Sequence, residues 1–235
     1  MRRKFGVALL ALGLSVLAWV GVTLRWGDPL TSIYTAHEQQ VLARQLAQEQ
    51  RIWLASPVRA RALVDSSTTA RPSRTNKLQT IKLRALRFAR GLHDGAPIGR
   101  IVIPRIGLNM IVVEGTSERD LAKGPGHYNG ASGAATALPG AGGVVAVAGH
   151  RTTFLHPFRY VDQLRSGDNV YLEMPYGTLR YRIYFQKIVG ANDWSILGRR
   201  PYEKLVLSAC HPLYSATHRI ITFARLVGAS TKSRL

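Results

Sequence analysis

Cysteine is almost missing from this chain: one residue, Cys210, among 235. That excludes an internal disulfide, and with it the disulfide scaffolds of small secreted domains. It also excludes zinc sites that need two or more thiolates. Acidic residues are scarce as well, 13 Asp and Glu against 32 Lys and Arg, giving a formal net charge of +19. No carboxylate-rich loop offers a calcium site. Aromatic residues are 8% of the chain and are not interleaved with the basic runs, so a face that stacks single-stranded nucleic acid is not expected. There are no internal repeats.

The basic excess is uneven. Residues 1–92 carry 15 Lys and Arg against 4 Asp and Glu, and residues 93–235 carry 17 against 9. The first part would be drawn to any polyanion, whether lipid, wall polymer or nucleic acid. The N-terminus chooses among these. Arg2, Arg3 and Lys4 precede an uncharged run over residues 5–24, which at helical rise matches a bilayer core of roughly 30 Å. The cationic tip predicts a cytoplasmic N-terminus, with the rest of the chain outside. Trp19 and Trp26 fall where interfacial aromatics are favoured. A cleaved signal peptide is the rival reading, but the apolar run is long for one and no small-x-small site follows it. Residues 1–26 are therefore expected to form a basic tip and single-pass anchor in the cell membrane.

Residues 27–92 read as an extracytoplasmic stalk and basic linker. Gly27, Asp28 and Pro29 signal a turn. Ile33, Val41, Leu42, Leu46 and Ile52 then recur at helical spacing, predicting a helix over 32–54. Residues 56–76 mix Pro, Ser, Thr and Arg without a period and predict a disordered linker. Residues 77–92 fit a basic amphipathic helix with Leu78, Ile81, Leu86 and Phe88 on one side, expected as a solvated linker helix or one resting on the membrane surface.

The texture changes near His93, where a third segment, 93–230, begins. Two β-branched runs flank residues 105–107 and predict two strands. Ser117 and Asp120 form a capping-box pattern for a short helix. Residues 130–143 suggest a flexible loop, 144–149 a buried strand, and 157–168 a short helix ending at Gly167. Residues 169–189 predict a hairpin turning at 175–177, with Val170, Leu172 and Met174 on one arm and Ile183 and Phe185 on the other. Residues 204–210 and 219–227 supply the last strands. Seven to eight short strands with brief helices predict a mainly β fold, a closed or nearly closed barrel.

Three polar residues fall at strand ends: His150, Cys210 and Arg219. One rim of a barrel can gather such positions. A thiol needs a neighbouring cation or base to act as a thiolate. A histidine can protonate a leaving amine, and an arginine offers fixed donors to a developing oxyanion. Together they suffice for acyl transfer through a thioester. From residue types alone, a lone cysteine such as Cys210 is usually a small buried hydrophobe, and Arg219 one solvated cation among many. His211 and His218 beside Cys210 match no zinc spacing.

The stretches IGRIVIPRIGLNMIVVEGT, LAKGPGHY, VAVAGHRTTFLHPF and LVLSACHPLYSATHR, in this order over about residues 95–228, resemble the sortases, most of all class E sortases of Gram-positive actinobacteria. GDPLTSIYTAHEQQ is similar to the segment after the anchor in those proteins. The resemblance implies a sortase-type barrel with Cys210 as nucleophile, His150 as general acid and then base, and Arg219 as substrate-orienting and oxyanion-stabilising group. It implies substrate contacts around Val206, Ser208, Ala209 and His211, and neither cofactor nor metal. Partners would be secreted proteins with a C-terminal LPXTG or LAXTG-type signal, and an amine on a cell-wall precursor or a pilin, with no nucleic acid. The family pattern Thr-Leu-x-Thr-Cys is here Val206-Leu207-Ser208-Ala209-Cys210, two hydroxyls short. His211 and Pro212 agree with class E. A pilin-polymerising enzyme, a wall-crosslinking L,D-transpeptidase, a papain-like hydrolase and a non-catalytic basic wall-binding module are the alternatives. The L,D-transpeptidase lacks its His-Gly-Cys neighbourhood here, and a papain-like enzyme would place the cysteine before the histidine.

Overall fold

The computed structural model describes residues 2–26, 29–55, 74–130 and 135–235. Of the linker expected over 56–76, residues 56–73 lie outside the described residues, as do the Gly27–Asp28 turn and the loop segment 131–134, while 74–76 are helical. Three helices come first: α1 (Arg2–Trp26), α2 (Pro29–Ala55) and α3 (Arg74–Ala89). Within α1, Lys4–Val22 is long and apolar enough to cross a membrane, and none of it is buried against the rest of the chain.

Eight strands follow: β1 (Pro97–Ile103), β2 (Leu108–Glu114), β3 (Gly126–His127), β4 (Val144–Ala148), β5 (Asn169–Met174), β6 (Gly177–Gly190), β7 (Lys204–His211) and β8 (His218–Ser230). They close into a barrel in the order β1-β2-β3-β4-β7-β8-β6-β5. The β2–β3 and β4–β7 pairs are parallel and the remainder antiparallel. Between β2 and β3 lies α4 (Glu118–Lys123), whose Ser117 and Asp120 form the expected capping box. Successive side chains of a strand point to opposite faces. In β4 and β7, Val145, Val147, Leu205, Leu207 and Ala209 fill the barrel interior, while Val144, Ala146 and Val206 build a second apolar layer outside.

Three expectations are corrected. The helix expected over 157–168 is only a short 3-10 turn, Val161–Gln163, because Leu164 already turns into extended backbone. Ile183 and Phe185 do not share a face, since the β6–β8 register shifts between them and a bulge reverses which way the following side chains point. Ile183 is buried, whereas Phe185 is exposed and stacks on Phe223.

The third concerns the basic helix, which is neither a solvated linker nor a membrane rest. Ile81 and Ala85 of α3 are fully buried in the barrel core. Phe88 packs edge-on against Tyr176 at 5.5 Å, and Trp53 from the end of α2 meets both rings at 6.2 Å. Tyr176 sits in the β5–β6 turn, the end of the barrel opposite Cys210 by strand register. Ile81→Ala is expected to cost about 2–5 kcal/mol, the range for deleting a buried aliphatic side chain. Leu83→Ala, at an exposed position of the same helix, should cost almost nothing. Denaturant unfolding of the two variants checks this.

The expected stalk helix is also part of the domain. Along one side of α2, Thr35 donates to the Ala122 carbonyl at 2.8 Å, and Leu42 and Leu46 pack on Ile111 and Val113. Between them Gln39 acts as a stand-in peptide. Its Oε1 accepts from the Ile111 N–H at 2.7 Å, and its Nε2 donates to the Ile111 carbonyl at 3.1 Å and the Lys123 carbonyl at 2.8 Å. β3 pairs only with Val113 and Glu114 of β2, so Gln39 satisfies ladder groups that β3 does not reach.

Candidate active site

Register places the three chemistry-bearing residues together. Parallel strands β4 and β7 align Ala148 with Ser208. His150 and Cys210 each lie two residues further on, so both emerge at the same end of neighbouring strands. On the other side of β7, Cys210 is the direct cross-strand partner of Arg219 in β8. Such partners have Cβ atoms about 5 Å apart on one face of the sheet. The face follows from parity: Cys210 continues the row of Val206, which belongs to the outer apolar layer with Ile221, Phe223, Val189 and Ile196. Tyr128, Tyr184 and Leu197 pack on that layer, half-buried.

Val206 and Ser208 lie on this outer row, both buried. Ala209 does not: it points into the barrel with Leu205 and Leu207. One of the two missing motif hydroxyls therefore falls at a core position, away from the face that presents Cys210. His211 pairs with His218 across the strand end. His127 is buried, with its Nδ1 2.9 Å from Glu114 Oε2.

His150 sits on the loop after β4. Gly149 before it donates its N–H to the Ser208 carbonyl at 3.1 Å. A Cβ at Gly149 would lie 2.7 Å from the Phe158 ring, so only glycine lets the loop run this close. The His150 ring packs on Phe154, centroids 5.1 Å apart, and its Nε2 is buried. Burial holds its pKa below the usual 6.5, and the charge of Glu118 at the start of α4 works against that shift. The Arg219 guanidinium is turned toward its own loop, donating to the carbonyls of Ala216 at 2.8 Å and His218 at 3.0 Å.

Arg151 was not singled out from the sequence, yet it joins the two halves of the site. It is almost fully buried. Its Nη1 donates to the Cys210 carbonyl at 3.4 Å and lies 3.4 Å from His211 Nδ1. Its Nη2 donates to the Arg159 carbonyl at 3.2 Å and pairs with Asp162 at 3.1 Å. The one available signal was its place directly after His150, which is weak in a chain with so many arginines. Among the described residues no group of three or more His, Cys, Asp or Glu is placed to hold a metal ion.

Comparison with known proteins agrees with this fold. The sortase-domain family profile matches residues 101–227. The chain is 34% identical over 137 residues to Sortase D of Bacillus subtilis, covering 57% of this chain and 65% of that protein. It is 28% identical over 144 residues to Sortase SrtE1 of Streptomyces coelicolor, covering 56% of this chain and 41% of that one. It thus spans less than two thirds of the length of either relative. Among solved structures, sortase E of Streptomyces avermitilis superposes with a TM-score of 0.52 at 33% identity, over 59% of this chain and 92% of the other. Sortase E1 of Streptomyces coelicolor, solved with a tripeptide in the active site, gives 0.54 at 26% identity over 58% and 91%. With the profile spanning more than half of its length and the barrel matching solved members, the chain belongs to the sortase family.

Proposed function

We propose that the chain is a membrane-anchored cysteine transpeptidase that cleaves a C-terminal sorting signal of the LPXTG or LAXTG type between Thr and Gly. The observation that carries this reading is the cross-strand pair of Cys210 and Arg219, with His150 leaving the adjacent parallel strand at the same end. Neutral His150 takes the Cys210 proton as the sulfur attacks the threonine carbonyl and an S–C bond forms. Arg219 swings from its loop carbonyls to the developing oxyanion. His150 gives its proton to the glycine amine as the C–N bond breaks. An acceptor amine then loses a proton to His150 and attacks the thioester, and the departing Cys210 sulfur takes that proton back. The outer apolar layer beside Cys210 suits an extended peptide, and the tripeptide in the Streptomyces coelicolor relative is consistent with that. The anchor places the domain outside the membrane with its N-terminus in the cytoplasm, where secreted proteins meet the growing wall. The acceptor is a cell-wall amine.

The test uses the full-length chain in detergent micelles, with LPXTG and LAXTG reporter peptides and a triglycine acceptor. Mass spectrometry is expected to find a thioacyl adduct on Cys210 and a product joined to glycine, and the preferred peptide identifies the signal. No adduct and no product with either peptide would overturn the reading.

A further inference from the structure

The loop that carries His150 is strained. Phe154, Leu155 and His156 have φ of 52°, 57° and 37°, three successive non-glycine residues in left-handed backbone. Such residues cost on the order of 1 kcal/mol or more each and persist only where the surroundings over-determine them. Within the loop, the Phe158 N–H donates to the His150 carbonyl at 3.0 Å and the His156 N–H to the Thr153 carbonyl at 2.8 Å. At the start of the strained run the partner comes from elsewhere. The Phe154 N–H donates to Thr31 Oγ1 at 3.1 Å, and Thr31 lies 123 residues away, in the first turn of α2. The ring of that same Phe154 packs on the His150 imidazole.

We propose that Thr31 is a positioning residue for His150, and that the membrane-proximal helix thereby forms part of the catalytic apparatus. The inference rests on the transpeptidase reading for the role of His150, though not for the contact itself. Thr31, Thr35 and Gln39 recur every four residues along α2, so they share one side of the helix, and all three hydrogen-bond to the domain. Thr35 and Gln39 fix the helix on α4 and β2. Thr31 applies that fixed point to the loop. Three peptide links separate Trp26 from Pro29, at most ~11 Å of chain, so the link from the anchor to the His150 loop is short. If the Thr31 contact is lost, Phe154 relaxes away from the imidazole, water reaches the ring, and the orientation needed for proton transfer is held for less of the time.

The experiment compares full-length parent, Thr31→Val, Thr31→Ser and Thr178→Val in detergent micelles. Thr31→Val keeps the side-chain shape and removes the acceptor. It is expected to lower kcat about five- to tenfold, the effect of one hydrogen bond acting on orientation, with KM changed less than twofold. It should also raise the pH at which the His150 imidazole titrates by NMR, because burial is what lowers that pKa and Glu118 is the charge opposing it. Thr31→Ser should restore both. Thr178→Val, which removes a hydrogen bond of 3.1 Å to the Lys232 carbonyl at the end of the barrel opposite Cys210, should lower thermal stability and leave kcat and the titration alone. The proposal is overturned if Thr31→Val matches the parent in kcat and titration, or if Thr178→Val produces the same changes. Should the parent give no thioacyl adduct with either peptide, the transpeptidase reading fails separately, and the His150 titration still decides the positioning.

Discussion

Cys210→Ala is expected to abolish thioacyl formation and transfer altogether, with the fold retained. The side chain is only half-buried at a strand end, so removing its sulfur leaves a small defect. No other thiol exists in the chain to substitute. His150→Ala should lower turnover by about 10²–10⁴-fold, the usual contribution of a positioned general acid–base group. Turnover and intact-mass measurements on parent and variants separate the two. An adduct on the Cys210→Ala variant, or near-parental turnover of His150→Ala, would remove those residues from the mechanism. The histidine also leaves a stability signature. Its folded pKa lies below 6.5, so the unfolded chain binds the proton more readily. The stabilisation from keeping it neutral is present above pH 6.5 and is lost as pH falls through the lowered folded value. Between pH 7 and 5 the His150→Ala variant should therefore lose less stability than the parent, and denaturant unfolding across that window checks the sign.

Arg151→Ala is expected to damage stability and activity together. Its guanidinium is buried beneath two segments and joins the Cys210 and Arg159 carbonyls to Asp162. Asp162 is half exposed, so water solvates that carboxylate once the arginine is gone. The two carbonyls lose a charged donor, however, and the segments lose their common tie. A cost of roughly 2–4 kcal/mol follows, below the full penalty for a buried pair because one partner faces solvent. Turnover should fall as well, since the strand end carrying Cys210 and the loop carrying His150 are no longer clamped. Asp162→Asn should cost no more than about 1 kcal/mol. Equal effects from the two variants would mean that the ion pair, rather than the carbonyl tie, is what matters.

Chain pattern anticipated much of this architecture, for identifiable reasons. The β-branched runs become β1, β2, β4, β7 and β8 because the barrel buries one or both faces of each. Ser117 and Asp120 announced α4 through side chains that satisfy its first N–H groups. His150, Cys210 and Arg219 could be placed at strand ends, but only pairing register puts them on neighbouring strands. What escaped sequence reading was carried by polar groups or by slips of period. α2 docks through Leu42 and Leu46, which hydrophobic spacing picked out, but also through Thr31, Thr35 and Gln39, which such a search passes over. Ile33 and Ile52, picked by that search, are exposed. The bulge after Ile183 sends Phe185 outward against simple alternation. Ala209 stands where the family pattern has threonine and faces the core, because parity relative to a strand end is invisible before the strand is paired.

The Gln39 contact has a consequence for how the molecule tolerates being cut. Part of one strand's hydrogen-bonding margin is completed by a side chain of α2, ahead of the barrel, not by another strand. A chain trimmed to start at Gly91 would keep every barrel strand and the residues expected to react, yet it would present the bare peptide of Ile111 to solvent. An unfinished margin of that kind recruits strands from other copies, so the trimmed domain would tend to self-associate. The helix ahead of the barrel then serves the folded enzyme as a seal.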